Sequence, residues 1–206
     1  MSIETNLNTL PARLQAIGLC SAVVAPVSFG IAAGECLAVS GRSGAGKTRL
    51  LRLIADLDEG GGDVMLDGVS RSRFPAPAWR REVIYQSAEP AWWRPSVAEH
   101  FKPEEQERAV QLAGRLALPA DRLSADIAQL STGERQRAAL VRSLARQPKV
   151  LLLDEPTSAL DADNVRRVEA LLQACMNDGL ALMLVTHSQE QAARLARMTI
   201  QVERRR

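Results

Sequence analysis

The chain has 206 residues, with 26 Lys and Arg against 24 Asp and Glu, a formal net charge of +2 and 46% hydrophobic residues. So apolar and nearly neutral a composition excludes an intrinsically disordered chain. No run approaches the roughly 20 apolar residues that cross a bilayer. The balanced charge gives no support to a nucleic-acid-binding protein, and nucleic acid is not among the predicted partners.

The N-terminal segment and the cysteines bear on the compartment. The stretch MSIETNLNTLPARLQ has an acidic residue and no apolar run, unlike a secretory signal peptide. Cys20, Cys36 and Cys175 are widely spaced, and no pair has the spacing of metal ligands. The sequence therefore predicts packing roles for the thiols and a reduced, cytosolic compartment.

Short apolar runs alternate with helical patterns, which is typical of a parallel α/β sheet. In chain order the sequence predicts strands at 35–39, 64–68, 82–85, 150–153, 180–185 and 199–202, and helices at 47–57, 104–117, 134–145, 163–175 and 189–197. Three glycines at 60–62 are predicted to break the chain before the second strand. We expect one domain over 1–206, with an α/β core (1–89 and 148–206) interrupted by an all-helical insertion at about 90–147.

A glycine-rich turn between the first predicted strand and helix matches the pattern G-x-x-x-x-G-K-[ST]. Glycines let backbone N–H groups approach phosphate oxygens, and the N-terminus of the following helix faces the anion. Lys47 would reach the β- and γ-phosphates, and the Thr48 hydroxyl would ligate Mg²⁺. Composition alone would produce the pattern in about one such chain per thousand, and its glycine spacing does not fit a dinucleotide fingerprint. The residues predicted to hold the phosphates are Gly41, Arg42, Ser43, Gly44, Ala45, Gly46, Lys47 and Thr48.

Two carboxylates follow the buried run at 150–153. Ligands of an open parallel sheet bind beyond the carboxyl ends of its strands, which is where Asp154 and Glu155 emerge. Taken alone, two acidic residues at the end of a strand would be interpreted as ordinary solvent-exposed side chains. Together with the phosphate loop they predict Asp154 as the carboxylate on the Mg²⁺ side, directly or through water, and Glu155 as a general base for the attacking water.

Five motifs in order and spacing resemble those of ATP-binding cassette (ABC) ATPases, the motor subunits of ABC transporters. They are the phosphate loop, VLLLDEP at 150–156, LSTGE at 130–134, SALD at 158–161, and His187. The likeness runs from about Leu14 to Val202 and points to a compact stand-alone subunit of bacterial type. It implies a P-loop NTPase core, ATP and Mg²⁺ as ligands, and ATP hydrolysis.

The resemblance also implies partners and roles for residues. Ser131 and Gly133 would open a helix whose N-terminus donates to the γ-phosphate of ATP held by a second copy, in a head-to-tail dimer. His187 would contact the γ-phosphate and orient water beside Glu155. Asp161 would lie across the dimer interface, although alone it would be read as a helix N-cap. We expect a cytoplasmic chain bound peripherally to the inner face of the membrane through a separate integral permease.

The sequence departs from the family at the base-binding and Mg²⁺-sensing positions. The aromatic ring that stacks on adenine has Leu19 as its nearest equivalent here, which puts the preference for ATP over GTP in doubt. For the Mg²⁺-sensing glutamine, lining up Tyr85 with the family pattern leaves three alternatives. Gln86 serves from a shifted position, Glu89 substitutes, or the role is lost.

The signature carries Thr132 for Gly and Glu134 for Gln, which raises the alternative of a weakly hydrolysing nucleotide-binding module. A non-transport ABC ATPase is the other alternative, although the segment before the signature is too short for a long coiled coil. Trp92 and Trp93 either pack the helical insertion or form an apolar surface for the permease. The interpretation we adopt is an ATP-hydrolysing subunit that powers a separate membrane permease.

Overall fold

The computed structural model describes residues 11–205, which form two sheets and the helices packed against them. The predictions for residues 1–10, including most of the N-terminal stretch, lie outside the described residues. The strands are β1 (Ala12–Cys20), β2 (Val27–Ala32), β3 (Cys36–Ser40), β4 (Gly61–Leu66), β5 (Val69–Ser70), β6 (Val83–Gln86), β7 (Val150–Asp154), β8 (Ala181–Val185) and β9 (Met198–Gln201). The helices are α1 (Lys47–Ile54), α2 (Ala76–Glu82), α3 (Pro103–Arg115), α4 (Ala120–Ser124), α5 (Thr132–Ala145), α6 (Ala162–Asn177) and α7 (Gln189–Leu195).

The larger sheet is parallel and has the order β6-β7-β8-β3-β9. β7, the second strand in this order, is buried along its whole length, as the apolar run at 150–153 predicts. Val150 and Leu152 face one hydrophobic core, shared with α1 and the smaller sheet, while Leu151 and Leu153 face a second core shared with α3, α5 and α6. This double burial fixes the position of β7, and with it the residues that follow its carboxyl end.

The smaller sheet is antiparallel, with the order β2-β1-β4-β5, and the sequence did not predict its first two strands. The glycines at 60–62 do not break the chain as expected, because β4 begins at Gly61. Gly62 has a φ of +86°, and a Cβ there would lie 2.4 Å from the Gly18 carbonyl oxygen of β1. A side chain would not fit at this position, so glycine allows β4 to approach β1 closely.

The segment between β6 and β7 contains α3, α4 and α5, and an isolated bridge between Ser96 and Asp126 is its one β contact. Side chains of α3 and α5 join the same hydrophobic core as one face of the parallel sheet. The boundaries of the helical insertion at about 90–147 stay a prediction. None of the helices in the described part of the chain is long and apolar enough to span a membrane.

Truncation of Leu152 tests the double burial of β7. Leu152 is fully buried, so we expect Leu152→Ala to lower the free energy of unfolding by about 2–5 kcal/mol, through lost apolar contact and a residual cavity. Leu57→Ala is the matched control, because Leu57 is 41% exposed. Urea unfolding followed by circular dichroism measures both, and equal losses in the two variants would contradict the packing described.

Candidate nucleotide-binding site

The predicted phosphate loop connects β3 to α1 and depends on positive backbone φ angles. Gly41, Gly44 and Gly46 have φ of +148°, +75° and +102°, which side-chain-bearing residues rarely adopt. A Cβ on Gly46 would also lie 2.8 Å from Val24 Cγ2. The loop thus brings its backbone to the N-terminus of α1, where unpaired N–H groups favour an anion.

Lys47, the first residue of α1, folds back over this loop. Its Nζ donates to the carbonyl oxygens of Gly41 at 2.9 Å and Arg42 at 3.3 Å. The ammonium group therefore lies at the loop itself, where it can neutralise a phosphate bound by the same backbone.

Thr48 and Asp154 meet although they belong to different elements. The Thr48 hydroxyl donates to Asp154 Oδ2 at 2.6 Å, and the Tyr85 hydroxyl donates to the same oxygen at 3.3 Å. Burial raises the pKa of Tyr85, and the Asp154 charge raises it further, so the phenol stays a donor. A hydroxyl and a carboxylate are the oxygen ligands that Mg²⁺ prefers, with phosphate oxygens and water completing its shell. This donor set fits the predicted ion, and Tyr85 is a contributor that sequence analysis missed.

Glu155 and His187 also lie together, at the ends of the neighbouring strands β7 and β8. His187 Nε2 is 3.3 Å from Glu155 Oε1, and the His187 backbone N–H donates to Glu155 Oε2 at 3.3 Å. Glu155 has a φ of +49°, and its N–H donates to the Val185 carbonyl at 2.9 Å. Burial raises the pKa of Glu155, while His187 opposes that shift. A carboxylate with a raised pKa is suited to accept a proton.

The signature segment begins α5. Ser131 is the N-cap: its Oγ accepts from the Glu134 N–H at 3.2 Å, and Glu134 Oε2 accepts from the Ser131 N–H at 2.8 Å, which forms a capping box. Arg122 Nε donates to Glu134 Oε1 at 3.0 Å. The Ser131 N–H is the main cause of a lowered Glu134 pKa. The departure from the family's glutamine thus gives an ion pair as well as a cap.

Gly133 packs against the loop between β7 and α6, and Asp161 lies at the end of that loop. A Cβ on Gly133 would lie 3.1 Å from the Ala159 carbonyl oxygen, so glycine allows this helix end to approach the loop. Asp161 caps α6, accepting from the backbone and the side-chain amide of Asn164 at 2.8 Å each, and these bonds lower its pKa. Its role across an interface stays a prediction.

A family model described as "ABC transporter" matches residues 24–158. The chain belongs to the ABC transporter family. It is 37% identical to the aliphatic sulfonates import ATP-binding protein SsuB of Cupriavidus necator, over 86% of this chain and 60% of that protein. It is 33% identical to the probable iron export ATP-binding protein FetA of Escherichia coli K12, over 80% of this chain and 78% of that protein.

A solved structure of the ATP-binding subunit of an ABC transporter superposes with a TM-score of 0.83 at 25% identity, covering 95% of this chain and 86% of that one. This likeness confirms the predicted fold class, and the family match confirms the resemblance read from the five motifs.

One expectation for this ABC subunit is wrong. Leu19, the nearest equivalent of the family's adenine-stacking ring, is fully buried in the core between the two sheets and offers no surface to a base. Two neighbouring valines approach the loop instead: Val24 Cγ2 and Val23 Cγ1 would lie 2.8 Å and 3.5 Å from a Cβ on Gly46. Val24 is buried, whereas Val23 is half-buried. Sequence distance from Lys47 could not reveal which side chain in this part of the chain points inward.

Gln86 is placed away from Asp154. It is 4% exposed, and its Oε1 accepts from the Ser143 hydroxyl of α5 at 3.1 Å. On β6 it pairs with Leu153, on the sheet face that α5 covers. Glu89 is exposed in the loop that follows. The structure therefore does not bring either residue to Thr48 and Asp154, the predicted metal ligands, and the three alternatives for Mg²⁺ sensing stay open.

Trp92 and Trp93, which follow Glu89 in the chain, stack with the side chains of Arg142 and His100, and we call these four residues the aromatic cluster. The guanidinium carbon of Arg142 lies 4.3 Å from the Trp92 ring centroid and 4.8 Å from that of Trp93. Trp92 packs partly into the core, whereas Trp93 is 61% exposed. Burial lowers the pKa of Arg142 to about 10. Trp92 therefore packs against the core, as one of the two alternatives expects, whereas a permease surface at exposed Trp93 stays a prediction.

Gly46→Ala tests the conformation of the phosphate loop. The positive φ alone costs an L-residue about 1–2 kcal/mol, and displacement of Val24 adds an overpacking cost of about 1–3 kcal/mol. Gly179→Ala is the matched control for backbone strain, because Gly179 has a φ of +96° with no atom within 4 Å of its Cβ position. Urea unfolding should show the larger loss for Gly46→Ala, and equal losses would contradict the described contact with Val24.

Proposed function

We propose that the chain binds Mg²⁺ and ATP, hydrolyses the nucleotide and powers a separate membrane permease. The observation that carries this proposal is the gathering of Lys47, Thr48, Asp154, Glu155 and His187 at the carboxyl ends of three parallel strands, β3, β7 and β8. Such an edge is where open α/β sheets bind their ligands.

Phosphate binding relies on the loop and the ion. Backbone N–H groups of residues 41–46 and the Lys47 ammonium would hold the phosphates, and Ser43 and Arg42 present exposed side chains at the same turn. Thr48 and Asp154 would hold Mg²⁺, which would neutralise charge on the phosphate oxygens. The short Thr48–Asp154 contact places both oxygens where one ion could be shared.

Hydrolysis relies on Glu155 and His187. Glu155 would accept a proton from water, and His187, which is exposed, is free to meet the terminal phosphate while it stays beside that carboxylate. Most of the rate enhancement would come from positioning and charge neutralisation.

A second copy of the chain would complete the site. Ser131 is exposed at the tip of α5, and its hydroxyl accepts from the Glu134 N–H in the capping box. Its helix N-terminus is therefore available to a phosphate held by another copy, head to tail. Because Glu134 preserves the cap, the altered signature does not argue for an inert module.

The permease is proposed from the relatives and from the aromatic cluster. The relatives are named as ATP-binding proteins of import and export systems. Exposed Trp93, stacked on a cation that burial already desolvates, is suited to anchor an apolar segment of a membrane subunit. The chain would then lie at the membrane surface through this contact.

Replacement of Glu155 tests the catalytic proposal. Glu155→Gln keeps the size of the side chain but removes the base, so we expect ATP turnover to fall by about 10²-fold or more. Binding of ATP should persist, because Lys47 and Thr48 are unchanged. Phosphate release measures turnover, and equilibrium titration measures binding.

Glu104→Gln is the control, since Glu104 is exposed on α3 and remote from the site. Equal turnover in the wild type and Glu155→Gln would refute the role of this carboxylate. A silent wild type, tested with membranes of its native host present, would refute the ATPase function.

Replacement of Trp93 tests the docking surface. Loss of an aromatic anchor weakens association by about tenfold or more, so Trp93→Ala should co-sediment less with membrane vesicles from the native host. Val110→Ala is the control, because Val110 is 50% exposed on α3 outside the cluster. Unchanged co-sedimentation of Trp93→Ala would place the permease contact elsewhere.

A further inference from the structure

We propose that Gln191 is a positioning residue for the Glu155–His187 pair, acting through Thr157 and Glu169. The inference rests on the proposed ATPase function and concerns residues outside the motifs read from the sequence as catalytic. The side chain of Gln191 bonds to Thr157 and Glu169, not to the residues proposed to hold the nucleotide or Mg²⁺. It lies on α7, the helix that follows His187, and contacts the loop that follows Glu155.

The contacts of Gln191 are those of a locked side chain. It is 1% exposed. Its Oε1 accepts from the Thr157 hydroxyl at 3.2 Å, and its Nε2 donates to Glu169 Oε1 at 3.3 Å. Its backbone N–H donates to Ser188 Oγ at 3.1 Å, the N-cap bond of α7. Both ends of the amide are therefore engaged, which fixes its orientation.

Glu169 anchors this amide from α6. Glu169 is 8% exposed, and its carboxylate accepts from Arg194 Nε and Nη2, both at 2.8 Å. The fork of two parallel bonds leaves the carboxylate little freedom to rotate. Gln191 is thus tied to Glu169 of α6 on one side and to the hydroxyl of Thr157 on the other.

The two ends of the bridge lie close in sequence to the catalytic pair. Thr157 follows Glu155 by two residues, and Gln191 follows His187 by four. Glu155 has a positive φ, a strained conformation that the surrounding contacts must maintain. The contact between Thr157 and Gln191 ties the loop after Glu155 to α7, which follows His187, and so adds to the direct contact of Glu155 with His187.

A second buried glutamine, on α5, holds the next part of the loop. Gln136 of α5 donates from Nε2 to Ser158 Oγ at 2.9 Å, and its Oε1 accepts from the Ala159 N–H at 3.1 Å. The loop after Glu155 is therefore fixed at 158–159 independently of Gln191. Loss of Gln191 would therefore free the first residues of this loop, next to the catalytic carboxylate of Glu155, and would leave α5 in place.

An amide suits this position better than a carboxylate or an apolar group. It accepts from Thr157 and donates to Glu169 at once. Leucine fills a similar volume and provides neither bond, which would leave the Glu169 carboxylate short of a donor. Valine in place of Thr157 removes the hydroxyl at constant shape, whereas serine retains it.

The test compares Gln191→Leu, Thr157→Val, Thr157→Ser and the double variant Gln191→Leu/Thr157→Val in steady-state ATP hydrolysis. We expect kcat to fall by about tenfold to 10²-fold in Gln191→Leu and Thr157→Val, because small displacements of reacting groups are costly. KM for ATP should change by less than about threefold, since uniform binding through Lys47 and Thr48 is retained. The kcat of the double variant should be no lower than that of the less active single variant. Thr157→Ser should keep wild-type kcat.

Gln173→Leu is the control, because Gln173 is exposed on α6 and, among the residues that the structure describes, its side chain donates to Asn177 alone. Thermal unfolding accompanies every variant, and the Val and Ser variants of half-buried Thr157 keep the test valid if Gln191→Leu does not fold. Wild-type kcat in Thr157→Val would overturn the inference, as would equal losses in the Val and Ser variants, additive effects in the double variant, or a rise in KM alone.

The result also separates this inference from the proposed function. An active wild type and an inactive Glu155→Gln, together with a fully active Thr157→Val, would overturn the positioning role and leave the ATPase standing. A wild type as silent as Glu155→Gln would overturn both.

Discussion

The hydrogen bond between Thr48 and Asp154 is the interaction on which the site depends. It joins the first turn of α1 to the carboxyl end of β7, 106 residues apart in sequence, at 2.6 Å. Packing holds the elements that carry the two residues, since α1 contributes to the core shared by both sheets and β7 is buried on both faces. The contact therefore sets the distance between the phosphate loop and the acidic strand end, and everything proposed for Mg²⁺ and ATP uses that distance.

The two consecutive carboxylates at the end of β7 face different partners. Asp154 ends β7 and turns toward Thr48 and Tyr85. Glu155 takes a φ of +49° and turns toward His187 at the end of the next strand. A glycine would adopt that backbone at lower cost, but it would provide no base. The polar bridges from Gln191 and Gln136 to the following loop are consistent with a strained residue that its neighbours hold in place.

Local patterns predicted the parallel strands, the phosphate loop and the two carboxylates after β7, because those features are encoded over a few neighbouring positions. The resemblance to ABC ATPases, and not a local pattern, added Ser131, Gly133, Asp161 and His187. The run at 150–153 has the continuous apolar character of a strand buried on both faces, and the glycines of the phosphate loop carry the positive φ angles that the motif requires. Features that depend on a distant partner were missed. The sequence indicates a chain break at Gly62 because it does not show that β1 approaches this residue. It likewise does not show that Leu19 is buried in the core, that Tyr85 and Gln191 contact residues far away in sequence, or that Arg122 lies beside Glu134 of the signature.

The central claim, that Thr48 and Asp154 together hold the Mg²⁺ of a bound nucleotide, is tested most directly by calorimetric titration of ATP with and without Mg²⁺. The wild type should bind ATP more tightly with Mg²⁺ present. Thr48→Val keeps the shape of the side chain but removes the ligand oxygen, so it should lose most of that Mg²⁺-dependent gain while its Mg²⁺-free affinity stays close to wild type. The same Mg²⁺-dependent gain in wild type and Thr48→Val would contradict the account.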